Sequence, residues 1–272
     1  MLRSHSRAND VGVGVKSVAY WSTRASGTLL LFVHGFGDGA VKCWKDFPSL
    51  LLAERKAAGA DLVFFGYDSL FSQVGANAQE LYKLLDLLIT APSSFINPLV
   101  DPSEARPPSF AYTRVVIVAH SLGAVITRKA LLSAHGKNCT WQGRCTLVLF
   151  APAHMGARSP KLALGGVALV PAIGGVLSGL AQHFIPALDD LVPGSPVLAQ
   201  LLDDSKKLLA VGGADHLKAK VVVFGAKERV VLTTRFGEDP DPPEWVPKKG
   251  HTDIQQPTTS FRLPLDRVLA LL

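Results

Sequence analysis

Apolar residues along this chain fall into two alternating patterns, and the alternation predicts its architecture. Thr28 to Val33 and Arg114 to Ala119 are nearly continuous apolar runs, the second with four β-branched residues in a row from Val115 to Val118, as suits strands covered on both faces. Each is followed by a segment with apolar positions at helical spacing: Pro48 to Ala58 after the first, Leu122 to Ala134 after the second. Between them Leu62 to Tyr67 reads as a strand and Ala76 to Thr90 as a helix. The pattern continues with strands at Thr146 to Phe150 and Ala219 to Phe224, and helices at Pro196 to Ala210 and Leu265 to Leu272. An earlier strand around Lys16 to Trp21 leads in. Strands alternating with helices predict a mostly parallel sheet with crossover helices on both faces, here as one domain over residues 1–272. The Pro-rich stretches Pro92 to Pro108 and Pro240 to Pro247 read as surface loops.

In such a sheet the loops at the carboxyl ends of the strands converge on one crevice, so chemistry is sought there. The third predicted strand of the parallel set runs directly into Ala119-His120-Ser121-Leu122-Gly123. A serine between small residues, on a sharp strand-to-helix turn, has the layout of a nucleophile elbow; Ala119 departs from the usual first glycine of G-x-S-x-G. After Val33 comes His34-Gly35-Phe36-Gly37-Asp38, a glycine-containing turn able to expose backbone N–H groups. The N–H of Phe36, with that of Leu122 after the serine, would form an oxyanion hole. His34 is expected to brace that loop.

A serine hydroxyl needs a base, and the base needs an acid to fix its tautomer. Of eight histidines, His251 lies between the last predicted strand and the last helix, where a long loop can return to the elbow. Glu228, just past the strand ending at Phe224, is the expected acid; Glu238, Asp239 and Asp241 are its competitors, and Asp253 is too near His251 in sequence. His120 points along the elbow, and His154, His183 and His216 are placed in or near a cap.

With these segments in order, the chain resembles the α/β-hydrolases, whose nucleophile, acid and histidine follow one another as Ser121, Glu228 and His251 do here. Within that fold it looks most like the branch of bacterial lipases and inositol-deacylase-like proteins. His34 to Gly37 resembles their oxyanion loop, Ala151 to Ala157 their Pro-His-x-Gly-Ser segment with one residue added, Asp190 to Leu198 the segment after their lid, and Gly250 to Pro257 their histidine loop. The resemblance implies a Ser-His-Glu esterase or lipase working through an acyl-enzyme, with no cofactor and no metal. The alternatives are a non-catalytic scaffold of this fold that binds a lipid or protein, and a thioesterase or amidase.

Composition narrows the picture. The net charge of +6 comes from scattered residues, with no basic block and no interleaved aromatics, so nucleic acid is an unsuitable partner. Three cysteines, Cys43, Cys139 and Cys145, match neither a disulfide framework nor a metal motif by spacing, and no secretory signal is visible; a cytoplasmic location follows. From Leu162 to Leu188 there is no Lys, Arg, Asp or Glu. Five glycines and Pro171 argue against a spanning helix, so residues 158–192 are read as a hydrophobic cap or lid that favours a lipid or other acyl substrate and allows peripheral membrane contact.

Overall fold

A computed structural model describes residues 4–158 and 186–272 of the chain. Eight strands form one sheet: β1 (His5–Ala8), β2 (Val18–Ser22), β3 (Thr28–Val33), β4 (Ala60–Phe65), β5 (Arg114–His120), β6 (Cys145–Phe150), β7 (Ala219–Gly225) and β8 (Glu244–Val246). Their order is β1-β2-β4-β3-β5-β6-β7-β8; β1 and β2 are antiparallel to their neighbours, and every pairing from β4 to β8 is parallel. The helices are α1 (Phe47–Ala53), α2 (Val74–Thr90), α3 (Pro92–Ile96), α4 (Leu122–Gly136), α5 (Pro186–Asp190), α6 (Pro196–Val211) and α7 (Leu263–Leu269). Helices α2, α4 and α6 pack together as one layer, while α1 packs on α7 as the other. This is the mostly parallel sheet covered on both faces that the alternation predicts, and it is the α/β-hydrolase fold.

The apolar runs explain the centre of the sheet. Every residue of β4, and all but the first of β3 and β5, is buried. These strands need apolar side chains on both faces because helices cover both. Around Phe32 the rings of Phe64, Phe47 and Trp44 lie 4.5, 5.2 and 5.1 Å away, filling the space under α1.

Two expectations need correction. The stretch Pro240 to Pro247 is not only a surface loop: Glu244–Val246 adds β8 parallel to β7, as an edge strand of the kind that tolerates flanking prolines. Likewise Pro92 to Pro108 contains α3, with Pro92 in its first turn, where a missing N–H costs nothing. The expected cap, 158–192, lies mostly outside the described residues, which include its first residue, Arg158, and its end, α5 and the turn after it. Among the described residues no helix is long and apolar enough to cross a membrane.

A buried polar network ties the antiparallel edge to the core. Asp61, within β4, accepts hydrogen bonds from the Arg106 guanidinium (2.8 Å), the Tyr112 hydroxyl (2.5 Å) and the Ser22 N–H (2.6 Å). The Asp61 and Arg106 side chains are only 0% and 5% exposed, so removing one leaves the other's charge stranded. The Asp61→Ala variant is therefore expected to lose about 3–5 kcal/mol of stability, measured by urea unfolding.

Candidate active site

The site grows out of the turn from β5 into α4. Ser121 has φ 52° and ψ −120°, a conformation that L-residues with side chains rarely adopt and that the surrounding backbone must enforce. Its N–H donates to the Phe150 carbonyl (3.1 Å), and its own carbonyl accepts from Ala153 (3.2 Å), fixing the turn against β6 and the loop after it. A side chain at Gly123 would put its Cβ 2.3 Å from the Val33 carbonyl oxygen and 2.4 Å from that of His34, so only glycine fits. Ala119, inside β5 opposite Val33 and Leu149, has no such constraint, which explains why alanine serves where the usual motif has glycine.

The histidine loop reaches the serine through a second close approach. A Cβ on Gly225, at the end of β7, would meet the Lys249 carbonyl oxygen at 2.3 Å, and the Lys227 N–H donates to that same carbonyl (2.8 Å). Backbone pressed on backbone brings the loop holding Glu228 beside the loop holding His251. His251 Nε2 lies 2.9 Å from Ser121 Oγ, and His251 Nδ1 lies 2.9 Å from Glu228 Oε2. The other carboxylate oxygen, Oε1, accepts from the N–H groups of Val230 (2.7 Å) and Val231 (3.0 Å). Burial pushes the Glu228 carboxyl up, but the hydrogen bond and charge of His251 and the two N–H groups together outweigh it, holding Glu228 below the ordinary glutamate value.

The other candidates are placed elsewhere. Asp253 accepts from the Gly250 N–H (2.6 Å) and shapes the histidine loop. Asp239 is buried against Arg128, with both carboxylate oxygens 2.5 and 2.6 Å from Nη2, while Glu238 pairs with Lys218 and Asp241 lies 3.9 Å from Arg235. His34 does brace its loop: Nδ1 donates to the Gly35 carbonyl (2.7 Å), Nε2 accepts from Tyr67 N–H (3.4 Å), and its ring stacks on Tyr67 at 4.1 Å. Burial pushes its pKa down to about 4, so it is neutral. His216 precedes β7 and faces His135 at the end of α4. His154 is buried behind the elbow against Phe236, and His183 lies outside the described residues.

In the loop after β3 the Gly37 N–H is committed to Ser69 Oγ (2.9 Å), whereas among the described residues the Phe36 N–H makes no hydrogen bond. Leu122 opens α4, so its N–H has no acceptor within the helix. Both therefore remain available as donors. Phe36, Asp38, His120, Ser121, Ala157, Leu191, Val230, Val231, His251 and Thr252 line one pocket, apolar on the side formed by Ala157, Leu191, Val230 and Val231. Asp38, at the end of the turn after β3, and His120, next to the serine, also face this pocket, a role that the sequence pattern does not assign to either side chain.

An eight-stranded sheet of this order, with a strained serine at the end of β5 and a histidine loop beyond β7, defines an α/β-hydrolase. The chain belongs to the alpha/beta hydrolase family, whose model matches residues 30–263. No curated protein sequence matches it. Among solved structures it is similar to the mature lipase BlEst2 of Bacillus licheniformis, with 14% identity, TM-score 0.55, and 98% of each chain covered. It is also similar to the peroxisomal α/β-hydrolase Lpx1 of Saccharomyces cerevisiae (10%, TM-score 0.57, 93% of this chain and 81% of that one). A third likeness is the Paleococcus ferrophilus monoacylglycerol lipase, at 14% identity, TM-score 0.51, and 98% and 99% coverage. At these identities the likeness is one of fold.

Proposed function

We propose that this protein is a serine hydrolase of carboxylic esters, acting through Ser121, His251 and Glu228. The observation that carries this reading is the unbroken relay of two 2.9 Å hydrogen bonds from Ser121 Oγ through His251 to Glu228, opening on a pocket. His251 Nε2 takes the serine proton as Oγ attacks the acyl carbonyl, and Glu228, ionised, stabilises the imidazolium that forms. The tetrahedral oxyanion is held by the N–H groups of Phe36 and Leu122, each worth about 3–4 kcal/mol. Collapse expels the alcohol, which receives its proton from His251, and leaves an acyl-Ser121. Water, activated by His251, then attacks the acyl-enzyme and releases the acid.

The apolar wall of Ala157, Leu191, Val230 and Val231 suits a hydrocarbon acyl chain, so the substrate class is a lipid or medium-chain ester. With p-nitrophenyl esters, kcat/KM is expected to rise from acetate to medium-chain acyl groups, by about 1–3 kcal/mol of transition-state binding where a methylene is well packed. A steady fall from acetate upward would contradict the acyl assignment while leaving the serine chemistry in place.

A further inference from the structure

We propose that Asp38, Cys43 and His120 form a site for a divalent transition-metal ion, of the zinc or cobalt type, in the wall of the pocket. One donor atom from each of the three lies within 4.8 Å of the other two. Cys43 Sγ stands 3.6 Å from His120 Nδ1. Bonds of about 2.3 Å to sulfur and 2.0–2.1 Å to nitrogen at a tetrahedral angle put S and N about 3.6 Å apart, so this pair already has the required separation.

The tautomer of His120 is also the one a ligand needs. Its Nε2 donates to the His251 carbonyl (2.9 Å), so Nδ1 carries a lone pair aimed toward the sulfur. A ring N–H held by a backbone carbonyl is the usual outer partner of a metal-bound histidine. A second, independent observation points to a missing ligand. Gln255 is 1% exposed and its Oε1 has no partner among the described residues, yet its Nε2 lies 3.6 Å from Cys43 Sγ. Turning this amide over brings the orphaned oxygen to that position, as a fourth donor, and gives up the 3.4 Å hydrogen bonds that Nε2 donates to the Cys43 and Thr252 carbonyls, which the bond to the ion must outweigh; the Cys43 carbonyl keeps its bond from Gln256 Nε2 (3.2 Å). Asp38 and His120 both line the pocket, which gives the ion a way in, and the cations beside Asp38, Lys42 and Lys45, are exposed and screened. As the metal–sulfur bond forms, the Cys43 thiol gives its proton to solvent, and rotation of the Asp38 side chain closes the third bond.

The spacing of cysteines could not reveal this cluster, because its members come from the oxyanion loop, the turn before α1 and the elbow. Cobalt titrated into chelator-treated protein tests it. The expected result is a near-ultraviolet thiolate-to-cobalt charge-transfer band with visible tetrahedral bands, saturating at one ion per chain at concentrations on the order of micromolar, and displaced by zinc. Cys43→Ser should abolish the band, Cys139→Ser should keep it, and Asp38→Asn should weaken binding roughly tenfold or more. No band in the wild type, a band that survives Cys43→Ser, or unchanged affinity in Asp38→Asn would each overturn the site. Circular dichroism and a melting curve report whether Cys43→Ser folds; if it does not, Asp38→Asn, at the pocket edge, decides alone. The optical signal needs no turnover, so failure here is distinguishable from failure of the hydrolase reading.

Discussion

Replacing Ser121 or His251 by Ala is expected to lower kcat/KM for ester hydrolysis by about 10⁵–10⁶, and the double variant should be hardly worse than either single one. The reason is that the two side chains act as one unit. Without the imidazole 2.9 Å from Oγ, the hydroxyl has no base to take its proton; without the hydroxyl, the imidazole has nothing to deprotonate. What survives in all three variants is the residual assistance of the Phe36 and Leu122 donors and of binding, so the effects cannot add. Initial-rate kinetics on one ester, with circular dichroism to verify folding, check this. Losses that multiplied in the double variant would mean the two residues contribute separately.

The second large effect belongs to Glu228→Gln, expected to cost about 10³–10⁴ in kcat with little change in structure. Its mechanism can be read from the two carboxylate oxygens. Oε1 accepts from the N–H groups of Val230 and Val231, so in the variant the amide oxygen must stay there. The NH₂ is then turned toward His251 Nδ1 and donates to it, which forces the ring proton onto Nε2, facing Ser121. That tautomer cannot accept the serine proton. The same substitution should change acid stability. Because Glu228 is held below its ordinary value in the folded protein, its ionisation contributes stability above the unfolded pKa, and this is lost as pH falls through the folded value. The wild type should therefore lose stability as pH falls below the ordinary glutamate value of about 4.3, a loss that Glu228→Gln does not show over the same range. Melting curves of both proteins across that range measure the difference; parallel curves would contradict a depressed Glu228.

The central strands were legible because a parallel strand buried on both faces must be apolar throughout, as β3 and β5 are. The apolar run Thr28–Val33 coincides with β3, while that of β5 stops one residue short, at Ala119, because His120 is a polar residue that ends a buried strand. Edges were harder. β1 (HSRA) and β8 (EWV) are short and partly exposed, so they lack the apolar signature, and β8 lies among prolines. The helix read as Pro48 to Ala58 breaks at Glu54 into a single 3-10 turn, a boundary that no proline or glycine announces. For the site, chain order placed Ser121, Glu228 and His251, and these are the three side chains that the structure brings within hydrogen-bonding distance in series. What spacing could not convey is which loops touch. The contact of Gly225 with Lys249, which joins the acid loop to the histidine loop, and the gathering of Asp38, Cys43 and His120 depend on approaches between distant segments.

The most direct test of the account is to treat the wild type and Ser121→Ala with a fluorophosphonate probe and locate the label by mass spectrometry. A serine activated by the His251–Glu228 pair attacks phosphorus as it would an acyl carbonyl, so the wild type should carry one label, on Ser121, and the variant none. An unlabelled wild type, or equal labelling of both proteins, would contradict the assignment of Ser121 as the nucleophile; the unlabelled case would leave a binding scaffold of this fold as the better description.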